Sequence, residues 1–239
     1  MFNLYPLLYY PLLRGLNKKK EIVVWGTNLT SQTGIGRFSV IVSNMIKLPS
    51  YYWSTVVGLL LSDGWLAFPS SHSKNARLGF EQSGINAKYV WSVFFILSHY
   101  CSSGPMIRTR SRGGIDNTGI LFVTRALPCF TGLYNLFYVN GIKVIPENIY
   151  ELLTPVALAH MIQGDGAKHG SGLLICTDSF SIQDAVRLTN VLIIKYRLDC
   201  TVRFPNKIRP RVYIRGSSMS VLRSIVTKHM NPSMLYKLD

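Results

Sequence analysis

Two segments of this 239-residue chain end alike: VVGLLLSDG at 56–64 and LAHMIQGDG at 158–166. Around each, the same succession of patterns can be laid down: an apolar helical run closed by Asp-Gly, two short strands, an amphipathic helix, two more strands and a last helix. In the first copy the pieces are STVVGLLLSDG, a hairpin through SSHSKN to ARLGFEQS, the helix NAKYVWSVFFILSHY, the strands PMIRTRSR and TGILFVTRA, and LPCFTGLYNLFYV. In the second they are TPVALAHMIQGDG, GLLICTDSF, IQDAVRLTNVLIIKY, CTVRF, RPRVYIRG and SSMSVLRSIVTKHM. A repeat of this order predicts an α+β chain of two αββαββα units related by a pseudo-two-fold axis, spanning residues 48–148 and 149–239. The antiparallel sheet of each unit is expected to be covered by helices on one face and open on the other.

Helical spacing places Val90, Val93, Phe94 and Leu97 on one face of the helix at 86–100. It places Val186, Thr189, Ile193 and Tyr196 on one face of the helix at 182–196, and both stripes are expected in the core. Residues 1–47 contain a single acid, Glu21, and no sustained period apart from FSVIVSNMI, so they read as a fused or poorly ordered extension. The start, MFNLYPLLYYPLLRGLNKKK, has its charges after the apolar run and two prolines within it, so it does not read as a secretory signal. Cys101, Cys129, Cys176 and Cys200 have no close paired spacing, which argues for buried free thiols over a zinc site or a disulfide framework.

Lysine and arginine number 26 against 11 acids, a formal charge of +15, and such a field favours a polyanionic partner. The longest charge-free stretches, 48–62 and 89–107, are interrupted by Ser, Pro, His or Gly and fall short of a membrane-spanning helix. Acids are scarce, so Asp63 and Asp165, at equivalent ends of similar apolar runs, need an explanation. A carboxylate at a helix C-terminus faces the negative end of the helix dipole, at a cost of roughly 0.3–1 kcal/mol. Gly64 and Gly166 account for the termination but not for the aspartates. One Asp-Gly can merely close a helix; two at repeat-equivalent positions point to a shared task. If the two helices pack side by side, the carboxylates converge and repel unless protons or divalent cations intervene.

Arg108, Arg110 and Arg112 recur at period two, which places them on one face of their strand with Ile107 pointing the other way. In the second copy Arg209, Arg211, Tyr213 and Arg215 repeat the alternation, with Val212 and Ile214 opposed as the core-facing set. These two strands contain no acid, and an arginine-lined sheet suits the major groove, where guanidinium groups read guanine O6 and N7. Arg77, Arg203, Lys168 and His169 are further candidates for DNA contact.

The motif pair, the repeat order and the flanking phrases KVIPENIYELLTP and SMLYKL resemble the LAGLIDADG homing endonucleases of the single-chain, two-motif type, over roughly residues 50–239. The resemblance implies a monomer whose two sheets form a saddle over a long asymmetric double-stranded DNA target and which makes a Mg²⁺-dependent double-strand break that promotes intron mobility. It implies that Asp63 and Asp165 hold Mg²⁺ together with the backbone carbonyls of Ser62 and Gly164, hard oxygen ligands that suit this ion. It matches Lys143 and Lys237 to the family's catalytic lysines, and Gln82 and Asp178 to polar positions near metal-bound water. It also implies a mitochondrial, organelle-encoded protein. An alternative within the same family is a maturase that binds intron RNA and assists splicing without cutting DNA. Retention of both aspartates and both lysines favours cleavage. A non-catalytic DNA-binding module ranks last. The family's small residue inside the motif helix is Gly58 in the first copy but His160 in the second, and Val57 is bulkier than the usual alanine. Gly58 and Ala159 still offer small surfaces, and His160 is expected at the helix interface and not as a metal ligand.

Overall fold

The computed structural model describes residues 30–112, 115–205 and 209–239. In chain order the helices and strands are α1 (Val40–Met45), α2 (Ser50–Leu60), β1 (Gly64–Ala67), β2 (Arg77–Ser83), α3 (Ala87–Leu97), β3 (Met106–Arg112), β4 (Ile115–Val123), α4 (Pro128–Phe137), β5 (Tyr138–Val139) and β6 (Ile142–Lys143). They continue with α5 (Ile149–Leu152), α6 (Pro155–Asp165), β7 (Gly166–His169), β8 (Gly172–Cys176), α7 (Ile182–Tyr196), β9 (Cys200–Arg203), β10 (Arg211–Ile214) and α8 (Met219–Val226). The fold is α+β, with two antiparallel four-stranded sheets of the same order, β1-β2-β4-β3 and β7-β8-β10-β9. No helix among the described residues is long and apolar enough to cross a membrane.

Local chemistry sets the boundaries of the elements that hold the site. Thr154 caps α6 by accepting from the Ala157 amide, with Pro155 at the first helical position, where its missing N–H costs nothing. Ser181 caps α7 in the same way through the Asp184 amide, and Arg197, left-handed at φ 56°, ends it. The sheets turn one pleat toward the helices: Leu66, Leu78, Phe80 and Phe122 in the first, Leu173, Ile175, Val212 and Ile214 in the second, all buried. Aromatic rings fill the space beneath the first sheet, Phe80 lying edge-on to Tyr89 with centroids 5.8 Å apart.

Helices α2 and α6 pack directly on one another. A Cβ on Gly58 would lie 2.4 Å from the Ala157 carbonyl oxygen and 2.6 Å from the His160 Cβ, so the two backbones meet where only a hydrogen fits. Near their C-termini, a Cβ on Gly164 would lie 2.4 Å from the Ser62 Oγ. The surface that α6 offers Gly58 is thus the backbone at Ala157 together with the Cβ of His160, which lies at the helix interface as expected.

Helix α3 buries Val90, Val93, Phe94 and Leu97 as its spacing predicts. Helix α7 does not follow its predicted stripe. Ala185, Leu188, Val191 and Leu192 face the core with Thr189, while Val186 and Ile193 are exposed. This helix is apolar on two adjacent stripes, and the one containing small Ala185 allows the closer approach to the sheet. Residues 30–47, expected as part of a loose extension, are tied to the segments that flank β3 and β4 of the first sheet. Arg125 donates to the carbonyls of Gln32, Ile35 and Gly36 and lies 4.2 Å over the Phe38 ring, and the Gly34 amide donates to the Ser102 carbonyl at 2.9 Å. Residues 1–29 of that extension lie outside the described residues. The four cysteines are free thiols, with Cys101 and Cys200 buried and Cys129 and Cys176 half-buried.

Candidate active site and nucleic-acid interface

Asp63 follows the last turn of α2 and Asp165 is the last residue of α6, so the packing of these helices brings the two carboxylates to one place. The Asp63 Oδ2 lies 2.8 Å from where a Gly164 Cβ would stand, which seats its carboxylate against the backbone of the partner helix. Desolvation at the helix junction raises both aspartates from the usual carboxylate range, although Asp63 stands exposed and Asp165 half-buried. For Asp165 the negative charge of Asp63 adds to burial, and it is pushed up to about 7 despite the opposing charges of Lys143 and Lys237.

The two lysines close the site from either side. Lys143 donates to the carbonyls of Ser62 at 3.0 Å and Gly64 at 2.9 Å. Lys237 donates to Gln163 at 2.6 Å, Gly164 at 2.8 Å and Ile162 at 3.4 Å. Lys237 therefore caps orphan carbonyls of the last turn of α6, and Lys143 binds the turn that leads from α2 into β1, both near helix ends where the dipole favours a cation. Burial lowers both lysines, Lys143 to about 8, with the aspartates pulling back up. The Ser62 and Gly164 carbonyls, expected as metal ligands, are thus the acceptors of these two ammonium groups.

Gln82 donates to the Asp63 carboxylate and accepts from Asn86 Nδ2 at 2.7 Å, an ordered chain that sequence reasoning found only in part, since Asn86 was missed. The expected pairing of Gln82 with Asp178 is corrected by strand register. Gly64 pairs with Phe80 and Gly166 with Ile175, so the counterpart of Gln82 is Thr177, whose hydroxyl donates to the Pro210 carbonyl at 2.6 Å. Asp178 comes one residue later, and a one-residue step turns a side chain to the opposite pleat. There it makes a two-pronged pair with Arg211, at 2.9 and 2.8 Å, which holds its carboxyl below the usual range. It reaches Asp165 only through charge.

His160 lies at the helix interface. It is buried, and its Nδ1 is hydrogen-bonded to the Tyr89 hydroxyl at 3.0 Å, a contact that sequence reasoning did not foresee. Burial, with a smaller push from His229, lowers it to about 4 from 6.5. A folded value below the unfolded one means that the unfolded chain takes up the proton first as pH falls. Stability present above pH 6.5 is therefore lost progressively toward pH 4. Because the raised Asp165 contributes the opposite trend over the same range, the loss is read as a difference: between pH 7 and pH 5 the wild-type protein should lose about 2 kcal/mol relative to His160→Gln in thermal denaturation. Parallel profiles for the two proteins would refute the assignment.

The open pleat of the first sheet bears Trp65, Arg77, Glu81, Arg108 and Arg110, as the register requires. Arg112 pairs with Ile115 through the backbone, and its side chain lies outside the described residues. Ile107 turns to the opposite pleat as expected, but it is 75% exposed because β3 runs beyond the helices. On the second sheet Arg203, Arg211, Tyr213 and His169 share the open pleat, with exposed Arg209 and Arg215 at its ends. Two expectations change here. Tyr213 is only 8% exposed, roofed by the Arg203 guanidinium at 3.4 Å and flanked edge-on by His169 at 5.8 Å, so it supports those two and is not itself the outer surface. Lys168 pairs with Leu173 and so lies on the helix-side pleat, exposed because the strand is at the sheet edge.

A carboxylate pair at the junction of two glycine-packed helices lies next to two sheets with basic open faces, an arrangement whose charge suits a polyanionic partner. The family model described as "LAGLIDADG DNA endonuclease family" matches residues 53–222, and the chain belongs to that family. It is 32% identical over 235 residues, 93% of its length, to the cytochrome b mRNA maturase bI2 of Saccharomyces cerevisiae, of which it spans 53%. It is 39% identical over 119 residues, 49% of its length, to the intron-encoded endonuclease ai4 of Dictyostelium discoideum, covering 75% of that protein. Its fold is similar to that of the homing endonuclease I-WcaI bound to its DNA recognition sequence, with a TM-score of 0.78, 24% identity, and coverage of 86% of this chain and 95% of that one.

Proposed function

We propose that this protein is a homing endonuclease that cuts a long asymmetric double-stranded DNA target at both strands, using Mg²⁺ or a similar divalent cation, and so promotes intron mobility. The observation that supports the reading is the convergence of Asp63 and Asp165, two carboxylates crowded together at the junction of α2 and α6, under the charge of Lys143 and Lys237. In this reading residues 48–148 and 149–239 are half-site modules, and the chain acts as a monomer in the mitochondrion.

The residues present fit a divalent cation. The centre offers hard oxygen donors only, and Asp63 is seated in a cradle that a Cβ on Gly164 would fill. Among the described residues no group of three or more His, Cys, Asp or Glu could hold a metal ion. Asp63 and Asp165 would therefore share it with the phosphates of bound DNA, and the Ser62 and Gly164 carbonyls, which accept from Lys143 and Lys237, would contribute through their second lone pairs. When bound, such an ion supplies charge stabilisation at the attacking and leaving oxygens. Gln82, held by Asn86, orients the Asp63 carboxylate. Lys143 and Lys237 place positive charge where the phosphate gains negative charge, and the lowered Lys143 can also exchange a proton near neutral pH. Arg77, Arg108, Arg110, Arg203, Arg209 and Arg211, with His169, contact DNA from the open pleats.

Incubation with a plasmid library of randomised sites, with Mg²⁺ or with EDTA, tests the reading. Metal-dependent linear product from a subset of sites is expected, and Lys143→Met with Lys237→Met should slow it roughly 10²-fold or more. Linear product in EDTA, or full activity of the lysine variant, would refute the mechanism. A second reading, an RNA maturase that assists splicing of its intron, is favoured by the 32% identity to the Saccharomyces maturase. It predicts splicing assistance that survives loss of both aspartates.

A further inference from the structure

Glu81 is an acid in the wrong place for a surface that meets a polyanion. It stands on the open pleat of the first sheet, on β2, one strand away from the arginines of β3. Its carboxylate nevertheless reaches them, with its Oε2 2.8 Å from Arg110 and 3.6 Å from Arg108. The intervening strand permits this through Gly119, which lies opposite Arg108, because a Cβ there would stand 2.8 Å from the Glu81 Oε1. The side chain of Glu81 is 15% exposed, whereas the arginines it holds are 48% and 63% exposed and face outward.

Exposed ion pairs of this kind add little to stability, and a carboxylate in the groove weakens attraction to phosphates. From this arrangement we infer that Glu81 is a specificity-determining positioning residue for the DNA reading on which this inference rests. It fixes the direction of two guanidinium forks, so that the N–H groups it leaves unused meet guanine O6 and N7 only at the correct base pairs. On other DNA the same carboxylate remains as a fixed repulsive element, the device by which a binder rejects wrong partners. The arginine strands are themselves free of acid, and the acid that pairs with β3 crosses to it from β2, a contact that no local pattern of either strand encodes.

The test uses the full chain, wild type and Glu81→Gln. Duplexes are first selected by the wild-type protein from a randomised double-stranded library with metal omitted, and binding is then measured on the selected and on scrambled duplexes. Glu81→Gln is expected to bind scrambled duplex roughly 3- to 10-fold more tightly. Its discrimination should fall roughly tenfold, with the loss confined to the few base pairs beneath β3. Gly119→Ala, whose Cβ displaces the carboxylate, should reproduce that pattern. Unchanged discrimination in both variants, or a uniform weakening at every base pair, overturns the role of Glu81. Failure of the wild-type protein to enrich any duplex instead overturns the DNA reading itself, and the inference with it.

Discussion

Asp165→Asn is expected to leave DNA binding intact while lowering double-strand cleavage by about 10³-fold, the scale of losing the charge stabilisation a bound divalent cation provides. The amide has nearly the same shape, so the seat between α2 and α6 is kept, but it cannot ligate a hard cation through a negative oxygen. Stability should move the other way. Burial and the Asp63 charge raise Asp165 in the folded chain to about 7 from 3.8. A carboxylate whose folded value is raised loses its contribution to stability as pH rises between those values, so at neutral pH the ionised group opposes folding. Asn removes that opposition, and without metal Tm should rise by a few degrees, roughly 1–2 kcal/mol. Gel assays for cleavage, a binding measurement and a melting curve on the same protein separate these effects. Normal cleavage by the variant would sink the proposed mechanism. A fall in Tm with loss of binding would show a structural carboxylate instead.

Gly58→Val is expected to destabilise the chain by about 2–4 kcal/mol and to abolish cleavage with it. The atoms a side chain would meet are the Ala157 carbonyl oxygen and Cα and the His160 Cβ, at 2.4, 3.0 and 2.6 Å. None of these can leave by a rotamer change, so α2 and α6 must separate. Separation at Gly58 is transmitted along both helices to Asp63 and Asp165, and a misplacement of about 1 Å is enough to cost 10²-fold in rate. Gly132, within α4 with nothing within 4 Å of its would-be Cβ, is the control. Gly132→Ala should be neutral or stabilising by up to about 1 kcal/mol. Chemical denaturation of the three proteins decides the matter, and equal midpoints for wild type and Gly58→Val would disprove the tight contact.

Much of this molecule was legible in the linear chain. The order of elements, the burial of Val90, Val93, Phe94 and Leu97, and the alternation that exposes Arg108 and Arg110 follow from periods of 3.6 and 2, which are local properties. Less was legible where two local answers were equally good. Helix α7 has two apolar stripes, and contact with the sheet selected the one through Ala185 and Leu188. Asp178 and Thr177 are adjacent, and only the pairing of Gly166 with Ile175 shows which of them corresponds to Gln82. The docking of residues 30–47 depends on Arg125, about ninety residues away in the chain, through bonds to backbone carbonyls that carry no residue identity.

The sequence by itself determined the family, the repeat and the four charged residues of the centre, because Asp-Gly at matched helix ends and a lysine after each last helix are patterns of type and spacing. The tertiary structure alone decided which atoms those residues touch. Lys143 and Lys237 engage the helix-end carbonyls, Tyr213 lies beneath Arg203, and Glu81 crosses Gly119 to the arginines of β3. Each of these contacts depends on strand register and on how closely two backbones approach, and both are settled by packing between segments distant in the chain.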